Sequence, residues 1–124
     1  METVLILEIE GTLRIFYKEE LEEEGYQILS AENEKEALEM MRGEIPDLII
    51  TDYHLLQTKS FMSLVDTAHK VKDIPIIIHT DYSGQPMDFI ISKNTAYLIK
   101  SSNLDNLKSK MRKMLGYKSL TKIS

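Results

Sequence analysis

Side chains that could take part in phosphoryl transfer stand at the ends of separate apolar runs in this sequence. They belong to Glu8, Glu10, Asp52, Thr80 and Lys100. The carboxylate of Asp52 could act as a nucleophile, and the two glutamates could help to hold a divalent cation. The hydroxyl of Thr80 and the ammonium group of Lys100 could bind phosphoryl oxygens. Together these residue types favour transfer of a phosphoryl group to a carboxylate.

Parallel strands of one sheet would bring these side chains together. Short apolar runs occur at residues 4–7, 26–29, 47–51, 74–78 and 96–99. Apolar residues at helical spacing occupy most of the intervening segments. Within residues 82–94, Phe89, Ile90 and Ile91 after Pro86 predict a short helix. Such a succession of βα units requires right-handed crossovers, and the carboxyl ends of parallel strands share one edge of the sheet. We therefore predict an α/β domain with helices on both faces of the sheet and one shallow polar pocket.

Local signals predict where the helices begin and end. The first helix starts at Thr12 and ends at Gly25, because glycine commonly terminates a helix. Asn33 and Glu36 form a capping box at the start of the second helix. A third helix is predicted from the spacing of the apolar residues Phe61, Leu64, Val65 and Ala68.

The length of 124 residues fits a single domain. The last helix begins near Ser102, and we predict a domain over residues 1–116 followed by a short, frayed basic tail over residues 117–124. The sequence contains no cysteine, which excludes disulfides, thiolate zinc sites and a thiol nucleophile. No apolar run approaches about 18 residues, so we expect a soluble, cytoplasmic protein without a membrane segment.

The charge is distributed unevenly along the chain. Residues 1–47 contain fourteen acidic and four basic side chains, for a net charge of -10. Residues 108–124 contain six basic side chains and no acidic ones, for a net charge of +6. Helix surfaces are often charged in this way, and no aromatic or glycine pattern typical of nucleic-acid binding accompanies the basic segment. We therefore expect no nucleic-acid partner.

The order and separation of these segments resemble those of response-regulator receiver domains, the flavodoxin-like modules of two-component signalling. The resemblance covers residues 3 to about 116, and it is carried by the segments 4–8, 21–26, 31–33, 36–38, 46–52, 75–80 and 96–100. It implies a doubly wound, five-stranded parallel sheet with strand order 2-1-3-4-5.

The resemblance also implies a role for each candidate side chain. Asp52 matches the phosphoacceptor, Thr80 the hydroxyl that follows the phosphoryl group, and Lys100 the lysine that pairs with it. Tyr97 matches the aromatic residue whose rotation, together with a movement of Thr80, reports phosphorylation. The ligands implied for Mg²⁺ are Glu8, Glu10, Asp52 and the backbone carbonyl of His54.

The partners implied by the resemblance are proteins. A sensor histidine kinase or a phosphotransfer protein would supply the phosphoryl group, and a downstream protein would receive the signal. Because only a short tail follows the domain, the resemblance implies a stand-alone regulator that signals by protein contact and is not an enzyme beyond its own phosphorylation.

Several positions depart from the pattern of the family. Ile9 stands where the family has an acid that contacts Mg²⁺ directly, and an aliphatic residue there should weaken Mg²⁺ binding. Leu56 and Ser60 replace a proline and a glycine, Asp81 replaces a small residue, and Ser101 replaces a proline that often follows a cis bond. The alternative interpretation is therefore a pseudo-receiver that docks a partner without being phosphorylated.

An enzymatic alternative concerns the segment from Glu8 to Leu13. Its sequence is similar to the Asp-x-Asp-Gly-Thr loop of haloacid-dehalogenase-type phosphatases, with glutamate at both acidic positions. Glutamate is one methylene longer than aspartate, which would misplace the attacking oxygen. The later acidic motifs of that family are also absent from the sequence, and no glycine-rich nucleotide-binding motif occurs. We therefore favour the receiver interpretation.

Overall fold

The computed structural model describes residues 1–52, 63–64, 66–67, 70, 73–81, 95–101 and 103–123, with side chains described as far as residue 116. Within these residues the chain forms an α/β domain around one parallel sheet. Residues 82–94, most of the predicted third helix, and the positions His54, Leu56 and Ser60 lie outside the described residues.

The sheet has five parallel strands. They are β1 (Thr3–Leu7), β2 (Gln27–Ala31), β3 (Leu48–Thr51), β4 (Ile76–Thr80) and β5 (Thr95–Ile99). The strand order is β2-β1-β3-β4-β5, and all neighbouring strands are parallel. Every residue of the three central strands is buried, as expected for apolar runs covered on both faces. The predicted fold class and strand order are confirmed.

Three helices have described bounds. They are α1 (Gly11–Glu23), α2 (Glu34–Gly43) and the C-terminal helix (Asp105–Ile123). The predicted end of α1 is confirmed, because Gly25 follows the helix with a φ of 97°, a conformation that favours glycine. The predicted cap of α2 is also confirmed, since the side chain of Asn33 accepts a hydrogen bond from the backbone N–H of Glu36 at 2.9 Å. Residues 63, 64, 66, 67 and 70 are also helical.

Two apolar clusters lie on opposite faces of the sheet. On one face, α2 packs on the strands, and the buried residues are Leu5, Leu7, Ala31, Ala37, Met41, Ile49, Leu64, Ile74, Ile76 and Ile78. On the other face, α1 and the C-terminal helix pack on the strands, and the buried residues are Val4, Ile6, Tyr17, Leu21, Tyr26, Leu48, Ile50, Ile77, Ala96, Leu104, Leu107, Met111 and Leu115. The sheet is therefore covered on both faces, as predicted.

The predicted boundaries of two elements are wrong. The fourth strand starts at Ile76 rather than at Ile74, whereas it closes on His79 and Thr80 as predicted. The C-terminal helix begins at Asp105 rather than near Ser102, and it continues through Gly116. The N–H of Asp105 donates a hydrogen bond to the side chain of Asn103 at 3.0 Å. A glycine inside a helix costs only about 1 kcal/mol, and Gly116 lacks the positive φ that ends a helix. In the described part of the chain no helix is long and apolar enough to cross a membrane.

Candidate functional site

The carboxyl ends of four strands bring the candidate side chains to one edge of the sheet. Glu8 follows β1, Asp52 follows β3, Thr80 closes β4 and Lys100 follows β5. The ammonium group of Lys100 lies 2.8 Å from Oδ2 of Asp52. The hydroxyl of Thr80 donates a hydrogen bond to Oδ1 of the same carboxylate at 3.3 Å. Each oxygen of Asp52 is therefore contacted by one of the groups that the sequence places at strand ends.

Lys100 also pairs with a second carboxylate. Its Nζ lies 3.1 Å from Oε1 of Glu8, and the exposed fractions of the Lys100, Glu8 and Asp52 side chains are 19%, 10% and 8%. Burial alone would lower the pKa of Lys100, but the hydrogen bond to Asp52 and the negative charges of Glu8 and Asp52 raise that pKa above its ordinary value. Lys100 is therefore protonated at neutral pH and neutralises part of the charge of both acids.

The loop between β1 and α1 is held by hydrogen bonds to its own backbone. The N–H of Glu10 donates to Oε2 of Glu8 at 3.1 Å. Nη1 of Arg14 donates to the carbonyls of Glu8 and Ile9 at 2.7 and 2.8 Å, and Nη2 lies 3.8 Å from a carboxylate oxygen of Glu32. Arg14 could not be identified from the sequence, because only the turn before α1 brings its guanidinium group back onto these carbonyls.

An open pocket of about 390 Å³ lies at this edge, and its lining residues are Glu8, Ile9, Glu10, Leu13, Asp52, Asp81 and Lys100. Ile9 is 60% exposed and does not belong to the core. Glu10 is exposed at the start of α1. The pocket therefore combines a buried, charged floor with an apolar wall formed by Ile9 and Leu13.

The side chains in this pocket do not form a complete Mg²⁺ site. Mg²⁺ requires a nearly octahedral set of oxygen ligands, and no group of three or more His, Asp or Glu side chains within the described residues is arranged to hold a metal. Glu8 and Asp52 both face the ammonium group of Lys100. Ile9 offers no oxygen, and the carbonyl of His54 lies outside the described residues.

Tyr97, the predicted switch residue, lies in the middle of β5. Its side chain is half-buried and packs against the core cluster on the α2 face, and its backbone is paired with Ile78 of β4. The position fits either a core residue or a switch, so its role remains a prediction.

A buried polar pair lies behind the site, on the α1 face of the sheet. The hydroxyl of Tyr17 and Nδ1 of His79 are 2.7 Å apart, and the two side chains are only 3% and 4% exposed. In the sequence, Tyr17 follows the helical spacing of the apolar residues of α1. No sequence signal pairs it with His79, because the two residues are 62 positions apart.

A profile of the response regulator receiver domain matches residues 4–121 of this chain. The transcriptional regulatory protein ZraR of Escherichia coli is 30% identical over 95 residues, which cover 75% of this chain and 22% of that protein. This chain therefore spans less than a quarter of that relative. Sporulation initiation phosphotransferase F of Bacillus subtilis is 27% identical over 127 residues, which cover 95% of this chain and 97% of that protein.

A solved structure with a similar fold is that of the response regulator protein TrrA from Thermotoga maritima in complex with Mg²⁺ and BeF. It is 36% identical, has a TM-score of 0.75, and the match covers 92% of this chain and 99% of TrrA. A second solved structure, that of the histidine kinase ThkA in complex with TrrA, also matches this chain, with a TM-score of 0.74.

Proposed function

The chain belongs to the response regulator receiver domain family, and on that premise we propose that Asp52 accepts a phosphoryl group from a phosphohistidine of a partner protein. The observation that carries the proposal is the pair of contacts at Asp52, where Lys100 binds one carboxylate oxygen and Thr80 the other. A lone acid at a strand end would not need both a half-buried ammonium group and a hydroxyl.

The proposed reaction forms one bond and breaks one. A carboxylate oxygen of Asp52 attacks phosphorus, the P–N bond to the donor imidazole breaks, and the imidazole nitrogen keeps the electron pair. In the proposal, the ammonium group of Lys100 and the hydroxyl of Thr80, which contact the carboxylate of Asp52, then bind oxygens of the phosphoryl group. Both groups donate hydrogen bonds, so they stabilise the negative charge that arrives with the phosphoryl group. The raised pKa of Lys100 keeps that donor charged at neutral pH.

Mg²⁺ enters the proposal only as a weakly bound ion. The relative TrrA is seen in complex with Mg²⁺ and BeF, which supports Mg²⁺ as the ion of this family. In this chain the candidate ligands remain Glu8, Glu10, Asp52 and the carbonyl of His54, and Ile9 replaces the usual direct ligand. We propose that this replacement weakens Mg²⁺ binding, and no step above depends on the ion.

The proposed partners are proteins on both sides of the transfer. A histidine kinase or a phosphotransfer protein supplies the phosphoryl group, as supported by the TrrA–ThkA complex and by the similarity to a phosphotransferase. In the proposal, movement of Thr80 and Tyr97 changes the surface that a downstream protein binds, with no nucleic acid involved. The proposed setting is the cytoplasm, and the chain catalyses no reaction beyond its own phosphorylation.

A second candidate function is that of a pseudo-receiver. Two observations favour it: Ile9 lines the pocket with an aliphatic side chain where the resemblance implies a metal ligand, and Glu8 already shares the ammonium group of Lys100 with Asp52. In this alternative the ion pairs close the site, and the fold serves as a docking surface without phosphorylation.

Treatment with acetyl phosphate and Mg²⁺ distinguishes the two functions. The first predicts an intact-mass gain of one phosphoryl group in the wild type, no gain in Asp52→Asn, and a normal gain in the matched control Asp47→Asn. Asp47 is a suitable control because its carboxylate binds the backbone of Thr3 at the opposite edge of the sheet. If the wild type gains no mass and its amide resonances near Asp52 do not shift with beryllofluoride, the phosphoacceptor function is wrong and the pseudo-receiver function is favoured.

A further inference from the structure

The buried pair of Tyr17 and His79 links helix α1 to the end of strand β4. Besides their hydrogen bond of 2.7 Å, the two rings meet edge to face with centroids 5.7 Å apart. Such ring contacts add to the stability of a buried pair. Two nearly fully buried polar side chains are thus hydrogen-bonded to each other on the α1 face of the sheet.

Strand β4 connects this pair to the candidate site. Successive side chains of a strand point to opposite faces, so His79 faces α1 while the adjacent Thr80 is directed away from it. The hydroxyl of Thr80 donates a hydrogen bond to Asp52, and the carbonyl of Thr80 accepts a hydrogen bond from the backbone N–H of Lys100 at 2.6 Å. The last two residues of β4 therefore connect α1 on one side with the phosphoacceptor and its lysine on the other.

Helix α1 also supports the opposite side of the pocket. Arg14, three residues before Tyr17 and so on the same side of the helix, holds the carbonyls of Glu8 and Ile9. One turn of α1 therefore binds both the acidic loop and the end of β4. A displacement of this turn would move groups on both sides of Asp52.

Both members of the pair are uncharged near neutral pH. Burial, and secondly the positive charge of Lys100, lower the pKa of His79 to about 4, while Asp52 acts in the opposite direction. Burial raises the pKa of Tyr17 above its ordinary value. The hydrogen bond therefore joins two neutral groups and persists over the physiological pH range, as a fixed connection would require.

We propose that Tyr17 and His79 are a positioning pair that holds Thr80 against Asp52. Its significance for signalling rests on the proposed phosphoacceptor function. Neither residue touches the reacting atoms; each acts through the backbone of β4. The pair orders the hydroxyl of Thr80 before a phosphoryl group arrives, and it carries any later movement of Thr80 to α1.

The direct test measures the side-chain rotamer of Thr80 by NMR scalar couplings in the protein without ligand. Tyr17→Phe removes one hydroxyl and keeps the ring, so the fold is expected to persist. We expect the variant to average over several Thr80 rotamers where the wild type has one. The matched control is Tyr26→Phe, because Tyr26 is buried in the same core cluster but lies before β2, at the opposite edge of the sheet.

A double-mutant cycle shows whether the two residues act as a unit. Tyr17→Phe, His79→Leu and the double variant should each lower the affinity for beryllofluoride about two- to tenfold, the range expected for one neutral hydrogen bond. The double variant should be no weaker than the single ones. The inference is overturned if the variants lose stability in urea but keep the Thr80 couplings and the beryllofluoride affinity of the wild type, since that result shows a purely structural pair.

The two proposals can fail separately. If the wild type binds no beryllofluoride and is not phosphorylated, the proposed function is wrong, and the Thr80 couplings of the unliganded variants still decide whether the pair positions Thr80. If the wild type binds beryllofluoride and Tyr17→Phe behaves like Tyr26→Phe in both measurements, only the positioning inference is wrong.

Discussion

Replacing Lys100 with methionine removes the only charge that both Glu8 and Asp52 contact in the described structure. Methionine keeps a flexible side chain of similar length, so the main change is the loss of the ammonium group. Two carboxylates that are about nine-tenths buried then face each other without a shared cation. Because two nearly buried carboxylates repel each other once their shared cation is removed, we expect Lys100→Met to destabilise the fold at neutral pH.

The size of the effect follows from the burial of the ion pairs. Breaking a buried ion pair by removing one partner costs about 3–5 kcal/mol. A domain of this length has a total unfolding free energy of roughly 6–18 kcal/mol. Lys100→Met should therefore remove a substantial share of the stability while leaving a folded protein for measurement. The unfolding free energy is obtained from urea titrations followed by circular dichroism.

The pH dependence separates this mechanism from a simple packing defect. In the wild type the pKa of Lys100 is raised above 10.5, so its stabilising contribution is complete below that pH and is lost only as the pH rises through the folded value. In Lys100→Met the neighbouring carboxylates repel each other, so each should bind a proton more readily when folded than when unfolded. The difference in stability between wild type and variant should therefore shrink as the pH falls from 7 to 5.

The matched control is Lys108→Met on the C-terminal helix. Lys108 also contacts two carboxylates, those of Glu20 and Glu24, but these are more than a third exposed. Water and salt screen such surface pairs, so we expect a much smaller loss that does not shrink in acid. The reasoning is refuted if Lys100→Met is as stable as the wild type at pH 7, or if its deficit is the same at pH 5 and pH 7.

Three further predictions concern the metal position, the buried histidine and the glycines. Ile9→Asp should bind Mg²⁺ more tightly than the wild type in calorimetry, and an unchanged affinity would show that position 9 is not the metal position. The pKa of His79 is lowered from 6.5 to about 4, so as the pH falls the unfolded chain binds a proton before the folded chain does. The unfolding free energy should therefore fall by about 3 kcal/mol as the pH drops through this range. Urea titrations should show that His79→Leu lacks this part of the loss of stability in acid. Gly25→Ala should destabilise the fold by about 1 kcal/mol, since Gly25 has a positive φ. Gly116→Ala should stabilise the fold by about 0.5–1 kcal/mol, because Gly116 is inside a helix and has open space where a Cβ would lie. Shifts of Tm in opposite directions on thermal unfolding would support both predictions.

The sheet and the position of its polar edge could be predicted because their signals are local. Runs such as Val4–Leu7 indicate strands covered on both faces, and the crossover rule favours a parallel sheet with helices on both sides. The order of the strands was predicted only from the resemblance to receiver domains. The end of the C-terminal helix could not be predicted in this way. Gly116 has the same identity in the sequence as Gly25, and only the backbone conformation distinguishes a glycine that ends a helix from one inside it.

The supporting contacts of the site were missed for a different reason. Arg14 and Tyr17 follow the helical pattern of α1, and His79 follows the pattern of a buried strand, so none of them violates a local rule. Their partners are set by how α1 lies on the sheet, and this arrangement depends on tertiary packing. The residues at strand ends could therefore be identified from the sequence, whereas the residues that hold them in place could not.

The guanidinium group of Arg14 has a consequence for how the pocket meets its ligands. Two carbonyls of the loop after β1 are already bound by this side chain, so the loop obtains its shape from the polypeptide itself rather than from an ion. The conformational entropy of that loop is lost when the chain folds, and little of it remains to be lost when an anion or cation enters. A ligand reaching this pocket therefore meets a loop whose conformation is already supported by two hydrogen bonds.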